Sequence, residues 1–180
     1  MGKTIQSVAI LEYLCNIKGN RGPFLVVAPV STLEQWRREV ESWTDLNCVL
    51  YHGSAASREI IRQREWRFSG ARKYTQLYKF QVLLTSYQTV LTDQPILGKV
   101  KWQYLIVDEG HRLKNTKSKL FECLQGFSTE HRLVLTGTPL QNNIQELWAI
   151  LNFVDPHKFS DLDDFESQYG NLKNSRHRKR

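Results

Sequence analysis

Apolar residues in this chain come as short unbroken runs, separated by stretches with helical spacing. Phe24–Ala28 is apolar throughout and reads as a buried strand stopped by Pro29. Cys48–Tyr51 and residues 80–84, 104–107 and 132–135 read as further strands. Residues 4–17 have the period of a helix, with Ile5, Val8, Ala9 and Leu11 on its apolar side. Residues 19–23 form a turn cluster of Gly, Asn and Pro. Ser31 or Thr32 is placed to cap the next helix, with Glu34 or Gln35 in its first turn. On that helix Leu33, Trp36, Val40 and Trp43 share one stripe, which assigns the two tryptophans to core or interdomain packing. Ile144–Val154 reads as a helix with Leu147, Trp148 and Leu151 inward, and Leu162–Tyr169 as an acid-rich one. Strand and helix alternate, so the pattern predicts a single α/β domain: a mostly parallel sheet with helices on both faces.

Composition changes this picture little. The 180 residues are 41% hydrophobic and 24% charged, as in ordinary soluble domains. No apolar run approaches the ~20 residues of a membrane helix, so no membrane partner is expected. Nothing at the N-terminus has the pattern of a secretory leader. Cys15, Cys48 and Cys123 are odd in number and lack CxxC spacing, which fits packing residues in a reducing compartment. The formal charge is +7, but Lys173, Arg176, Arg178, Lys179 and Arg180 supply five of the 25 basic residues, leaving 20 against 18 acids. This tail at residues 173–180 suits nucleic acid or nuclear import, or is a solvated end. Residues 58–79 mix basic side chains with Trp66, Phe68, Tyr74 and Tyr78, a pattern open to nucleic-acid contact or to an amphipathic helix with a solvated face.

The chemistry lies elsewhere. Leu105-Ile106-Val107-Asp108-Glu109-Gly110-His111 runs from a buried strand straight into two carboxylates, at the kind of sheet edge where open α/β folds bind ligands. Asp108 is placed to hold Mg²⁺ against nucleotide phosphates, and Glu109 to orient or deprotonate an attacking water. Gly2-Lys3-Thr4 supplies a lysine for phosphate and a hydroxyl for Mg²⁺. Neither triplet is specific alone; the two together, each beside the right pattern, are. A solvated turn is the bland alternative for the acids. Thr136-Gly137-Thr138-Pro139-Leu140-Gln141 follows the next strand and can hydrogen-bond the carboxylate site, or form a polar turn in which Asn142 or Asn143 caps a helix.

Taken in order, Ala28-Pro29-Val30-Ser31-Thr32-Leu33 with Trp36, Thr85-Ser86-Tyr87, residues 107–115 and residues 135–142 resemble the first RecA-like lobe of the Swi/Snf-type helicase-like ATPases. His111-Arg112-Leu113-Lys114-Asn115 after the acids, and Leu140-Gln141-Asn142 after Thr-Gly-Thr-Pro, carry most of that specificity. Residues 21–24, 44–47 and 169–172 bring the chain nearest to the chromodomain-helicase-DNA-binding remodellers.

The resemblance implies a P-loop NTPase lobe over residues 1–172, incomplete at its start, with a basic tail at 173–180. It implies ATP and Mg²⁺ as cofactors, bound by Gly2, Lys3, Thr4, Asp108 and Glu109, with Thr4 and Asp108 on the metal. Asp108, Glu109 and His111 would be catalytic, His111 linking the acids to the coupling motif at Thr136, Gly137, Thr138 and Gln141. Pro29, Ser31, Thr32, Thr85, Ser86 and Tyr87 fall in motifs that lie near the DNA phosphate track in the family. Duplex DNA and nucleosomes would be partners, through a longer parent, in the nucleus. Further glycines before Gly2 and a second lobe are part of the family pattern and are not in this sequence, so the chain alone is expected to be inactive. Gly110 stands where many members carry Ala and is expected to be merely tolerated. Two other functions stay open: a non-enzymatic binding module from the same lineage, and a DExH RNA helicase lobe.

Overall fold

The computed structural model describes residues 2–68, 77–137 and 144–169. Five parallel strands form one sheet in the order β2-β3-β1-β4-β5. The elements run α1 (Lys3–Asn16), β1 (Phe24–Ala28), α2 (Val30–Trp43), β2 (Cys48–Tyr51), α3 (Ala55–Ile61), a π-helical turn (Arg62–Trp66), β3 (Val82–Ser86), α4 (Tyr87–Thr92) and α5 (Gln94–Leu97). They continue with β4 (Trp102–Val107), a 3₁₀ turn (Gly110–Leu113), α6 (Lys119–Gln125), β5 (Thr129–Val134), α7 (Ile144–Val154) and α8 (Leu162–Tyr169).

Strand alternation divides the core into two layers. Phe24, Val26 and Ala28 of β1, Val82 and Leu84 of β3 and Ile106 of β4 point to one face, where Val8, Leu11, Leu33, Trp36 and Val40 of α1 and α2 cover them. Leu25, Val27, Leu83, Leu105 and Val107 point to the other, under Tyr87, Val90, Phe121, Leu124 and Phe153. β1 is buried at all five positions because it is paired on both edges and covered on both faces. The expected α/β architecture is therefore what forms.

The register brings the strand ends level. Ala28 sits opposite Ser86, Val27 opposite both Thr85 and Val107, Tyr51 opposite Thr85, and Val107 opposite Val134. Every segment that follows a strand thus leaves from one edge of the sheet.

Several local expectations are corrected. Neither Ser31 nor Thr32 caps α2 with its side chain: Pro29 is the N-cap, and its carbonyl accepts both the amide and the hydroxyl of Thr32, each at 2.9 Å. On α1 the buried residues are Ser7, Val8 and Leu11; Ala9 is exposed, and Ser7 is accommodated because its hydroxyl donates to the Lys3 carbonyl. Trp43 lies 62% exposed at the end of α2, its indole donating to Glu39. On α7 the fully buried residues are Ala149, Ile150 and Phe153, while Leu147, Trp148 and Leu151 are half-buried. β3 starts and ends two residues later than expected, and β5 starts at Thr129, its polar first half lying on a sheet edge.

The basic-aromatic stretch folds inward where it is described. Trp66 is buried against Tyr51, Tyr78 and Phe80. Arg58 is buried on Asp93. Ile60, by contrast, is 53% exposed. Tyr74 and residues 173–180 lie outside the described residues.

Candidate functional site

The level strand ends build the site. β4 hands the chain to Asp108 and Glu109, and the ladder continues past the strands: the Asp108 amide donates to Val27 at 2.9 Å and the Gly110 amide to Leu135 at 2.7 Å. The turn bearing the acids is therefore stitched to β1 on one side and to the segment after β5 on the other.

Asp108 is only 8% exposed, a cost its hydrogen bonds offset. Its Oδ1 accepts the Glu109 amide at 2.8 Å and its Oδ2 accepts the indole Nε1 of Trp36 at 3.0 Å. Its backbone carbonyl accepts the Tyr87 hydroxyl. Each carboxylate oxygen keeps acceptor capacity beyond its one protein donor.

Glu109 is the sole non-glycine residue with positive φ among the described residues, at 52°. That left-handed turn redirects the chain from the strand into the 3₁₀ turn and leaves the Glu109 side chain 36% exposed. His111 Nδ1 lies 3.3 Å from Glu109 Oε2, at ion-pair distance but without hydrogen-bond geometry.

Gly110 is not a passive substitution. A Cβ there would stand 2.0 Å from Val134 Cγ1, so the close approach of the turn to β5 requires glycine unless Val134 moves.

The N-terminus of α1 reaches the same edge. Lys3 Nζ lies 3.1 Å from the point a Cβ on Gly137 would occupy, which brings the lysine against the segment after β5. Lys3 and Thr4 open α1 after Gly2, whose φ of 95° makes a left-handed N-cap. Thr4, in the first turn, and Asp108 offer hard oxygen donors. Among the described residues no group of three His, Cys, Asp or Glu forms a metal cage. A site of that kind suits Mg²⁺ completed by phosphates and water.

The expected DNA-proximal residues divide. Ser31 is exposed and Thr32 half-buried in the first turn of α2, beside Pro29. Thr85 and Ser86 are buried, and their hydroxyls are engaged inside: Thr85 donates to the Tyr51 carbonyl at 2.8 Å, and Ser86 lies 3.0 Å from the Thr89 hydroxyl and caps α4. Tyr87 is buried too, with its hydroxyl on Asp108 and the Arg112 guanidinium 4.5 Å over its ring. Burial, with the nearby Asp108 charge, pushes the Tyr87 phenol well above its usual range, so it is a proton donor throughout physiological pH. Thr136 and Gly137 follow β5; Thr138 and Gln141 lie outside the described residues.

Sequence reading missed the roles of Trp36 and Tyr87. The available signal was general: a buried indole N–H or phenol needs a polar partner. Which partner it finds is a matter of tertiary contact, since Trp36 and Asp108 stand 72 residues apart.

This arrangement has counterparts in known proteins. The SNF2-related domain family model matches residues 1–179. The chain is 49% identical over 173 residues to Protein CHROMATIN REMODELING 5 of Arabidopsis thaliana, covering 96% of this chain and 10% of that protein. It is 46% identical over 175 residues to Chromodomain-helicase-DNA-binding protein 8 of Xenopus tropicalis, covering 96% and 8%. Among solved structures, the Sulfolobus solfataricus SWI2/SNF2 ATPase core in complex with dsDNA superposes with a TM-score of 0.73 at 28% identity, covering 92% of this chain and 32% of that one. The chain thus spans about a tenth of the length of these remodelling relatives.

Proposed function

Because the chain belongs to the SNF2-related domain family, we propose that it is the nucleotide-binding lobe of an ATP-dependent DNA translocase that remodels chromatin in the nucleus. The observation that carries this reading is the convergence of Lys3, Gly137, Asp108 and Glu109 on one edge of a parallel sheet. The domain occupies residues 1–172 in this reading, with residues 173–180 a basic extension.

Lys3 binds the ground-state phosphates of ATP, and the α1 N-terminus adds its amides to that cradle. Thr4 and Asp108 would hold Mg²⁺, which when bound neutralises charge developing on the phosphates. Glu109, more exposed than Asp108, takes the proton of the attacking water, with His111 beside it. Lys3 lies against Gly137, so nucleotide state is felt by the segment after β5. Pro29, Ser31 and Thr32 meet the phosphate backbone of duplex DNA at the start of α2, where contacts position without reading bases. Thr85, Ser86 and Tyr87 shape the same edge from within.

The test uses the full-length protein that contains this lobe, with ATP hydrolysis followed in the presence and absence of duplex DNA and nucleosomes. Hydrolysis should be stimulated by duplex DNA. Lys3→Ala should weaken nucleotide binding, whereas Glu109→Gln should hold ATP and stop hydrolysis. Equal loss of ATP affinity in both variants would show the two roles to be wrongly assigned.

A further inference from the structure

Asp108 is gripped from both faces of the sheet. From the α1–α2 face the Trp36 indole donates to its carboxylate, and from the opposite face the Tyr87 hydroxyl donates to its backbone carbonyl. Each donor rides on a helix that starts at the strand-end edge: α2 opens directly after Pro29, with Ser31 and Thr32 in its first turn, and α4 opens at Tyr87 itself.

We propose that Trp36 is a positioning residue for Asp108, and that α2 passes displacement of its start by a phosphate backbone to the carboxylate through the Trp36 indole hydrogen bond. This rests on the role given to Asp108 above. Three observations support it.

The indole is 1% exposed, so its N–H has no water to turn to if Asp108 moves, and the two groups move together or leave a buried donor unmade. Its ring lies in the same buried layer as Val8 and Leu11 of α1, the helix that carries Lys3 and Thr4. Finally, with Oδ1 on the Glu109 amide and Oδ2 on Trp36, both oxygens of the carboxylate are held, so the orientation of its plane is fixed. Donors of this kind orient a metal-binding carboxylate without touching the metal.

The test removes only the N–H. In the full-length protein containing this lobe, Trp36 is replaced by 3-benzothienylalanine, in which sulfur stands for the N–H in a ring of nearly the same shape. Trp36→Phe is made beside it, and a melting curve is taken for each. Two quantities are read: the Mg²⁺ concentration giving half-maximal binding of a fluorescent non-hydrolysable ATP analogue, and kcat and KM for ATP with and without duplex DNA. The expected result for the benzothienyl variant is a melting temperature like that of the unmodified protein, and a half-saturating Mg²⁺ concentration raised about tenfold. The factor by which DNA stimulates turnover should fall through kcat, with KM at saturating Mg²⁺ changed less than about twofold. Unaltered Mg²⁺ dependence and DNA stimulation in the benzothienyl variant, alongside an Asp108→Asn variant that has lost Mg²⁺-dependent binding, would overturn the proposal and leave the function standing. An Asp108→Asn variant that still binds nucleotide with normal Mg²⁺ dependence would overturn the assigned role of Asp108, and this inference with it.

Discussion

Arg58 and Asp93 form a two-pronged buried ion pair, with Nε 2.8 Å from Oδ2 and Nη2 3.0 Å from Oδ1. Arg58 also donates to the Gly53 carbonyl, and Tyr51 and Arg62 close the group around the same carboxylate. The pair ties α3 to the end of α4, the helix whose first residue is Tyr87. Arg58→Ala takes away the two-pronged partner but leaves Arg62 and the Tyr51 hydroxyl on Asp93, so it should cost more than an exposed pair and less than the about 3–5 kcal/mol of a buried charge left wholly unmatched in urea unfolding. A loss below about 1 kcal/mol, the value of an exposed pair, would show the pair to be ornamental.

The same group sets a pH dependence. Burial pushes the Asp93 carboxyl up, but the hydrogen bonds from Arg58 and Tyr51 and the charges of Arg58 and Arg62 outweigh it and hold it below its ordinary value. A depressed carboxylate contributes stability that is fully present above its unfolded pKa, about 3.9, and is lost as pH falls through the folded value. The stability difference between the wild-type chain and Asp93→Asn should therefore be constant above about pH 5 and shrink in more acid solution. A difference that grew on acidification would contradict the sign.

Gly110→Ala should destabilise the chain by about 1–3 kcal/mol, the usual cost of overpacking. The clash is with one atom of Val134, so the pair Gly110→Ala and Val134→Ala should be less destabilised than the sum of the two single changes. Additive losses in denaturant titrations would place the strain elsewhere.

Thiol labelling offers an independent check on burial. Burial, then the Glu41 charge, push the Cys48 thiol up to about 12, and burial raises Cys123 as well. The thiolate is the reactive form, so a raised thiol pKa slows alkylation at pH 8. Cys15 and Cys48 are both half-buried, but the raised Cys48 thiol ionises less, so iodoacetamide should modify Cys15 before Cys48 and the buried Cys123, and all three should react alike in urea. Peptide mass spectrometry reads the order directly; early labelling of Cys48 would contradict the packing of β2.

DNA binding by the chain should be weak and indifferent to base sequence. Each phosphate contact made through Lys or Arg adds roughly −0.9 to the log–log salt slope on duplex DNA. A slope of a few units is expected, with deletion of residues 173–180 removing most of the affinity. Titration of two unrelated duplexes at several salt concentrations, with and without those residues, measures both. Strong preference for one duplex, or affinity untouched by the deletion, would count against backbone contact through basic side chains.

The strands, the α/β architecture and the candidate acids were legible along the chain because they depend on local pattern. Phe24–Ala28 is apolar at every position, as a doubly covered, doubly paired strand favours, and Asp108 directly follows a run of the same kind. Helix faces were read less well. Trp43 continues the stripe of Leu33, Trp36 and Val40, yet at the last residue of α2 it meets solvent. Thr85 and Ser86 look from sequence like hydroxyls offered to a ligand, but the sheet register puts Thr85 on the Tyr51 carbonyl, and Ser86 is taken up in capping α4 beside Thr89.

Sequence by itself determined what is short in range: which segments are strands, where carboxylates leave the sheet, and that a lysine and a threonine open a helix. Tertiary structure alone decided what joins distant segments. It set Trp36 on Asp108, Arg58 on Asp93 and Lys3 against Gly137, and it put Val134 where a Cβ at position 110 would stand. The reason is physical: periodicity records only which side of an element is buried, whereas the partner of a buried donor or charge is chosen by the packing of elements that the chain brings together from far apart.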